Sequence, residues 1–363
     1  MRTATWLLGV ATLHLSAWAQ EPSVAKQAAS PLEISGFIDV GYSGDLKART
    51  GTGNHSEIEL DFKKAYAGIA SFRVDLNVRL ADLSGPNGAL VAPGMDTLFE
   101  QAFVTIDMLK AKTGLTFTFG KFNAPCGWEL LDPVERYQLS LSNVFAYLEP
   151  FNLLGAMATW EKGPFTVAAY AFNGWDRFVD NNSSMSFGGR FGVSLAEGKA
   201  VLGLSAIWGP EGPRDGDART SVDLDFTFKP NDKFLWGLDV NFGMQPLSAT
   251  QRATWYGVLS TFHYRWTPWL GTTLRYDFVN DPDGAMIADP DALANGIGQQ
   301  RHSVTAALLF FLNKGSGPFG VVNGAFAGLE YRADISDKDV FRDNSAGGTS
   351  SRHRVTAKVI VAF

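Results

Sequence analysis

Phe72-Arg73-Val74-Asp75-Leu76-Asn77-Val78-Arg79-Leu80 is the stretch that decides the fold. Phe72, Val74, Leu76, Val78 and Leu80 are apolar, and Arg73, Asp75, Asn77 and Arg79 stand between them. A strand points successive side chains to opposite faces, so this stretch has one greasy face and one charged face. In a soluble β-protein the greasy face would be the inside. In a membrane barrel it meets lipid, and the charged face lines the lumen.

The alternation recurs along the chain. Ile38, Val40 and Tyr42 alternate with Asp39, Gly41 and Ser43, and Ile58, Leu60 and Phe62 with Glu57, Glu59, Asp61 and Lys63. The clearest hairpin sets Val222, Leu224, Phe226 and Phe228 against Asp223, Asp225 and Thr227. Its turn is Pro230-Asn231-Asp232, after which Phe234, Trp236, Leu238, Val240 and Phe242 alternate with Gly237, Asp239 and Asn241. Asp223, Asp225, Asp239, Arg275 and Asp277 all fall on the charged face. Buried in a soluble core, they would cost several kcal/mol each, whereas a wet lumen offers partners or water. The segments number about sixteen, an even count within the bacterial barrel range.

The ends and the connections agree with this reading. Arg2, the apolar run Ala4–Leu15 and Ala17-Trp18-Ala19 read as a secretory signal over residues 1–19. Residues 20–33 are a polar, Ala-rich lead-in, and the barrel is expected over residues 34–363. No later run is long and apolar enough for a spanning helix. Long and short connections alternate: Leu46–Ser56, Leu83–Asp96, Asn123–Pro150, Asp281–Gln300 and Ala333–Ser351 are long, and Lys162-Gly163, Glu197-Gly198 and Thr267-Pro268 are short. Short periplasmic turns and longer outer loops are the habit of outer-membrane barrels. Trp160, Trp236, Trp266 and Trp269 lie beside short turns, and Trp175, Trp208 and Trp255 beside long loops, as interfacial girdles would. The last strand sets Val355, Ala357, Val359, Val361 and Phe363 on one face. The net charge of -6 gives no basic patch for nucleic acid, and with Cys126 alone no internal disulfide forms.

Gly36-Phe37-Ile38-Asp39-Val40, Phe99-Glu100-Gln101-Ala102-Phe103-Val104 and Gly120-Lys121-Phe122-Asn123-Ala124-Pro125 resemble segments of bacterial barrel porins. So do Leu148-Glu149-Pro150-Phe151 and Phe172-Asn173-Gly174-Trp175-Asp176. Together they resemble the putative β-barrel porin-2 family. The resemblance implies an all-β, transmembrane, antiparallel up-and-down barrel in the cell outer membrane, with lipid and lipopolysaccharide as surroundings. Many porins of this size are trimers, so a homotrimer is the assembly it implies.

In well-known sixteen-stranded porins the third outer loop folds inward and narrows the pore. Here that loop is Asn123–Pro150, which carries Glu129, Asp132, Glu135, Arg136 and Glu149. Lys63, Arg73, Arg79, Arg332, Arg354 and Lys358 are expected on the pore wall, with Glu129, Asp132 and Glu135 facing Arg73 and Arg79 in a transverse field. The expected activity is passive diffusion of small hydrophilic solutes or ions, with a weak cation preference from the acidic balance. The alternatives are a barrel enzyme and a plugged anchor. Asp281-Pro282-Asp283-Gly284, Asp289-Pro290-Asp291 and Asp334, Asp337, Asp339 and Asp343 lack the EF-hand spacing and read as solvated loops. The histidines lack metal-ligand spacing, Ser303 and His302 point to opposite faces, and no cofactor or catalytic residue is expected.

Overall fold

The computed structural model describes residues 30–49, 51–79, 94–212, 214–248, 250–289, 293, 295–312, 324–344 and 347–363. The expected signal over residues 1–19 lies outside them, as do most of the lead-in and most of the Leu83–Asp96 connection.

The strands follow one another around a closed barrel. β1 (Glu33–Asp45), β2 (Gly51–Tyr66), β3 (Ala70–Arg79), β4 (Phe99–Ile106) and β5 (Leu115–Asn123) precede the longest described connection. β6 (Asn152–Lys162), β7 (Phe165–Phe172), β8 (Ser186–Leu195), β9 (Ala200–Pro210), β10 (Ala218–Phe228) and β11 (Phe234–Pro246) follow. β12 (Arg252–Thr267), β13 (Leu270–Asp281), β14 (Gln299–Phe311) and β15 (Gly324–Ser336) continue the wall. β16 (Phe341–Arg342) and β17 (Gly348–Thr349) form a small separate hairpin, and β18 (Ser351–Ala362) returns to pair with both β15 and β1. Every barrel ladder is antiparallel; successive wall strands pair along the chain, the β1–β18 ladder closes the ring, and β16 and β17 stand apart. Gly36 and Phe363 exchange backbone hydrogen bonds of 3.0 Å at the seam, so Phe363 helps close the barrel.

The β10–β11 hairpin shows how the pattern forms the wall. Leu224 lies opposite Val240, and Asp225 opposite Asp239. Asn231 Oδ1 accepts the backbone N–H groups of Lys233 and Phe234 at 2.9 and 3.1 Å, so the side chain itself makes the turn. Val222 and Leu224 are 38% and 37% exposed, while Asp223 and Asp225 are 3% and 0% exposed. The greasy face therefore points outward and the charged face inward, and the barrel crosses the membrane with its ladders fully paired. Placing Arg at Leu224, in the middle of β10, is expected to destabilise the barrel by roughly 2–4 kcal/mol. Urea titration in lipid vesicles measures this, and an unchanged midpoint would refute the lipid-facing assignment.

Three expectations need correction. The Leu46–Ser56 loop is short, because the β1–β2 ladder continues to Gly44 opposite Gly51 after a register shift between Gly41 and Ser43. Ala333–Ser351 begins later than expected, since the outward series Leu329, Tyr331 and Ile335 carries β15 on to Ser336 and places Asp334 inside the wall. Trp255 is fully buried, because β12 alternation turns it inward with Ala253 and Leu259. Trp208, Trp266 and Trp269 are exposed at strand ends, where girdle residues belong.

Candidate functional site

Residues 124–151 connect β5 to β6 and are held largely by their own backbone. Gly127 N–H donates to Asp223 at 3.0 Å and Trp128 N–H to Asp239 at 2.7 Å. Leu139 N–H donates to Glu330 at 2.7 Å, and the Ser140 hydroxyl donates to the same carboxylate at 2.5 Å. Asn143 donates to Asp277 through its N–H at 2.9 Å and its amide at 2.7 Å. The acceptors belong to β10, β11, β15 and β13. Ser142 caps the short helix Asn143–Leu148 by accepting Phe145 N–H at 3.0 Å, which spares one of the helix's orphan donors.

Apolar packing reinforces these anchors. Trp128, Leu130, Tyr137, Val144 and Leu148 cluster with Leu235, Trp255, Leu259, Val279 and Ile287. Leu139 packs with Phe37, Leu309, Phe326 and Ile360. Wall glycines make the seats: a Cβ on Gly237 would come within 2.0 Å of Trp128, and one on Gly328 within 2.7 Å of Leu139.

The charged residues divide between two sides of the barrel. Glu129 sits 2.7 Å from Arg275 and also accepts Ser142 N–H at 2.7 Å. Its ion pair therefore falls on β13, away from the Arg73 and Arg79 expected from sequence. Asp132 and Glu135 lie toward β2–β4. Asp132 stands within 4.8 Å of Glu59 and Glu100, and the charge of Arg73 reaches both Asp132 and Glu135. Burial, with added repulsion from Asp132, pushes the Glu135 carboxyl up to about 8 against the pull of Arg73 and Lys63. The charge of Arg136 acts on Asp39 and Glu57. Glu149 meets Asp223 and Asp239.

On the wall, Lys63 pairs with Asp61 at 3.5 Å, Arg73 with Asp75 at 2.7 Å, and Arg79 with Glu57 at 3.1 Å. Lys358 pairs with Asp39 at 2.6 Å. Arg332 and Arg354 both pair with Asp334, at 2.8 and 3.3 Å. Sequence reasoning missed several members of these networks. Glu330 ties down the loop, Arg190 pairs with Asp225 at 2.7 Å, and Arg301 and Arg352 pair with Asp289 at 2.8 and 3.0 Å. Alternation marks such residues as inward, but nothing local names their partners. The Asp281 and Asp289 loops are braced by the fold, where solvated loops were expected. Asp281 accepts the N–H groups of Ala285, Met286 and Ile287, while Asp289 holds the two arginines.

The family model described as "Putative beta-barrel porin-2, OmpL-like" matches residues 31–363. The chain belongs to that family. It is an outer-membrane channel protein. Among curated proteins none matches its sequence. Solved structures similar to this porin include the outer membrane channel DcaP of Acinetobacter baumannii, 14% identical with a TM-score of 0.60 over 93% of this chain and 99% of that one. The anion-selective porin from Comamonas acidovorans is 11% identical, with a TM-score of 0.61 over 92% of this chain and 100% of that one. OmpT of Vibrio cholerae is 10% identical, with a TM-score of 0.60 over 94% and 99%. At such identities the likeness is one of fold.

Proposed function

We propose that this porin passes small hydrophilic solutes and ions by passive diffusion, through a bore narrowed from within by residues 124–151. The observation that carries the proposal is the set of backbone N–H groups donated by Gly127, Trp128, Leu139 and Asn143 to inward carboxylates on β10, β11, β15 and β13. A loop lying outside the barrel would have no access to those acceptors. The channel works without catalysis in this reading. Ser303 donates its hydroxyl to Asp334 at 2.9 Å, while His302 bonds Tyr276 on the opposite face at 2.8 Å.

The interior favours cations. Among the described residues, buried carboxylates outnumber buried guanidinium and ammonium groups. Glu135 adds a pH dependence. Its carboxyl is raised from 4.5 to about 8, so the folded loop prefers the protonated form. That stabilisation is full below about pH 4.5 and is lost as pH rises through about 8. Reversal potentials in a salt gradient are expected to show cation preference that strengthens between pH 6 and pH 9. Glu135→Gln is expected to flatten that rise, and an anion-selective channel at both pH values would refute the proposal.

We also infer a homotrimer. The support is a solved trimer form of the structurally similar OmpT of Vibrio cholerae. Native mass spectrometry in mild detergent is expected to return three chains, and a single chain throughout would count against it.

A further inference from the structure

We propose that Glu149, Asp223, Asp239 and Asn241 form a divalent-cation site, suited to calcium, that clamps both ends of the narrowing loop to the β10–β11 hairpin. The proposal rests on the loop lying inside the barrel, and it assigns the site a role in fixing the loop's position.

Asp223 and Asn241 are direct cross-strand partners, and Asp239 is two residues before Asn241. All three therefore project from one patch of the inner face. Glu149 arrives from the end of the loop and is 3% exposed. Each carboxylate offers an oxygen, and the three oxygens lie within 4.8 Å of one another. One oxygen of Asp223 receives Gly127 N–H and one of Asp239 receives Trp128 N–H. The second oxygen of each, and both oxygens of Glu149, meet no hydrogen-bond donor.

Asn241 supplies an observation independent of the acids. It is 1% exposed, and its amide N–H reaches Ser221 Oγ at 3.4 Å, which leaves its Oδ1 with no donor. Asn241 lines the same small cavity as Glu149, Asp223 and Ser221. The cavity volume is about 10 Å³, room for one water-sized sphere. Buried acceptors without donors are costly, and here a neutral carbonyl joins the Glu149 and Asp223 carboxylates around one such space, with an Asp239 oxygen within 4.8 Å of both.

The nearby cation does not satisfy them. Arg190 is engaged with Asp225 at 2.7 Å and with Ser205 at 2.8 Å. An all-oxygen donor set selects a hard cation, and calcium accepts six to eight oxygens at irregular angles, including carboxylates bound through both oxygens. Magnesium demands a stricter octahedron. Cys126 borders the cavity but packs against the apolar cluster of Phe122, Leu153 and Tyr170.

Gly127 shows that the seat of Glu149 is shaped for it. Its φ is 75°, and a Cβ there would fall 1.7 Å from Glu149 Oε2. A bound ion would join Gly127 and Trp128 at the start of the loop, through Asp223 and Asp239, to Glu149 at its end. Releasing it would loosen both ends together.

The test uses the full-length refolded porin in detergent, stripped with EDTA, with terbium as the probe and tryptophan excitation. Trp128 is adjacent to the site and is the expected sensitiser. Saturable luminescence that calcium displaces is expected, weakened roughly 10-fold or more by Asp223→Asn or Glu149→Gln. Asp281→Asn, outside the site, should leave the affinity unchanged. Heat-modifiable gel mobility confirms folding. If a charge variant does not fold, Asn241→Ala, which keeps all three carboxylates, is expected to weaken binding instead. No saturable signal, or affinity unmoved by these substitutions, would overturn the site and show that protons alone relieve the carboxylates. The readout is binding rather than passage, so a porin that binds terbium yet conducts nothing would fail the pore reading alone.

Discussion

Asp334→Ala is expected to destabilise the barrel by about 3–5 kcal/mol, the largest stability effect of any single substitution considered for this wall. Asp334 is fully buried in β15. Its Oδ1 accepts Arg332 Nε at 2.8 Å and the Ser303 hydroxyl at 2.9 Å. Its Oδ2 accepts Arg352 at 3.2 Å and Arg354 at 3.3 Å. One carboxylate thus compensates three guanidinium groups. Arg352 would keep Asp289 at 3.0 Å, and Arg332 would keep Asn143 Oδ1 at 3.0 Å and the Leu141 carbonyl. Those contacts leave uncompensated positive charge inside a low-dielectric wall, where the penalty is highest. Urea unfolding in lipid vesicles is the measurement. A midpoint equal to that of the unaltered porin would mean that water, rather than Asp334, carries these charges.

Asp277→Asn combined with Glu330→Gln is expected to widen the size cut-off for sugars in liposome swelling. Both carboxylates serve the loop directly: Glu330 holds Leu139 and Ser140, and Asp277 holds Asn143. Hydrogen bonds to charged groups contribute roughly 1.5–3 kcal/mol each. Weakening both anchors should release the middle of the loop while its start stays on Asp223 and Asp239. Unequal swelling by two sugars that the unaltered porin excludes would mark the new cut-off. An identical cut-off in a folded variant would mean that the loop does not set the bore.

The barrel was legible in the sequence because period-two alternation is local. Phe72–Arg79 and the β10–β11 hairpin each declare their two faces within a few residues, and the observed register keeps those faces. The inner surface was harder to read. Leu235, Leu259, Val279 and Leu309 are apolar yet point inward, because they seat Trp128, Leu148 and Leu139 of the loop. Their alternation alone resembles a weakened strand. Trp255 was expected in a girdle for the same reason: a large aromatic near a strand end fits either face until the register is known.

The site shows a second kind of gap. Arg73 and Arg79 were expected opposite the loop acids because they point inward on a strand read as lying across the lumen. In the fold their closest ion pairs stay on the wall, Arg73 with Asp75 of its own strand and Arg79 with Glu57 of β2. Glu129 finds Arg275, far away in sequence. Which inward charges meet depends on how strands wrap around the barrel and on where one loop settles. Neither is encoded in the spacing of nearby residues.

An open pore through the barrel is checked by single-channel recording of the unaltered porin in a planar bilayer. Discrete, stable conductance steps, with a reversal potential of cation-selective sign in a salt gradient, are expected. A heat-modifiable, correctly folded barrel that inserts without producing any steps would contradict an open pore and leave a plugged barrel in its place.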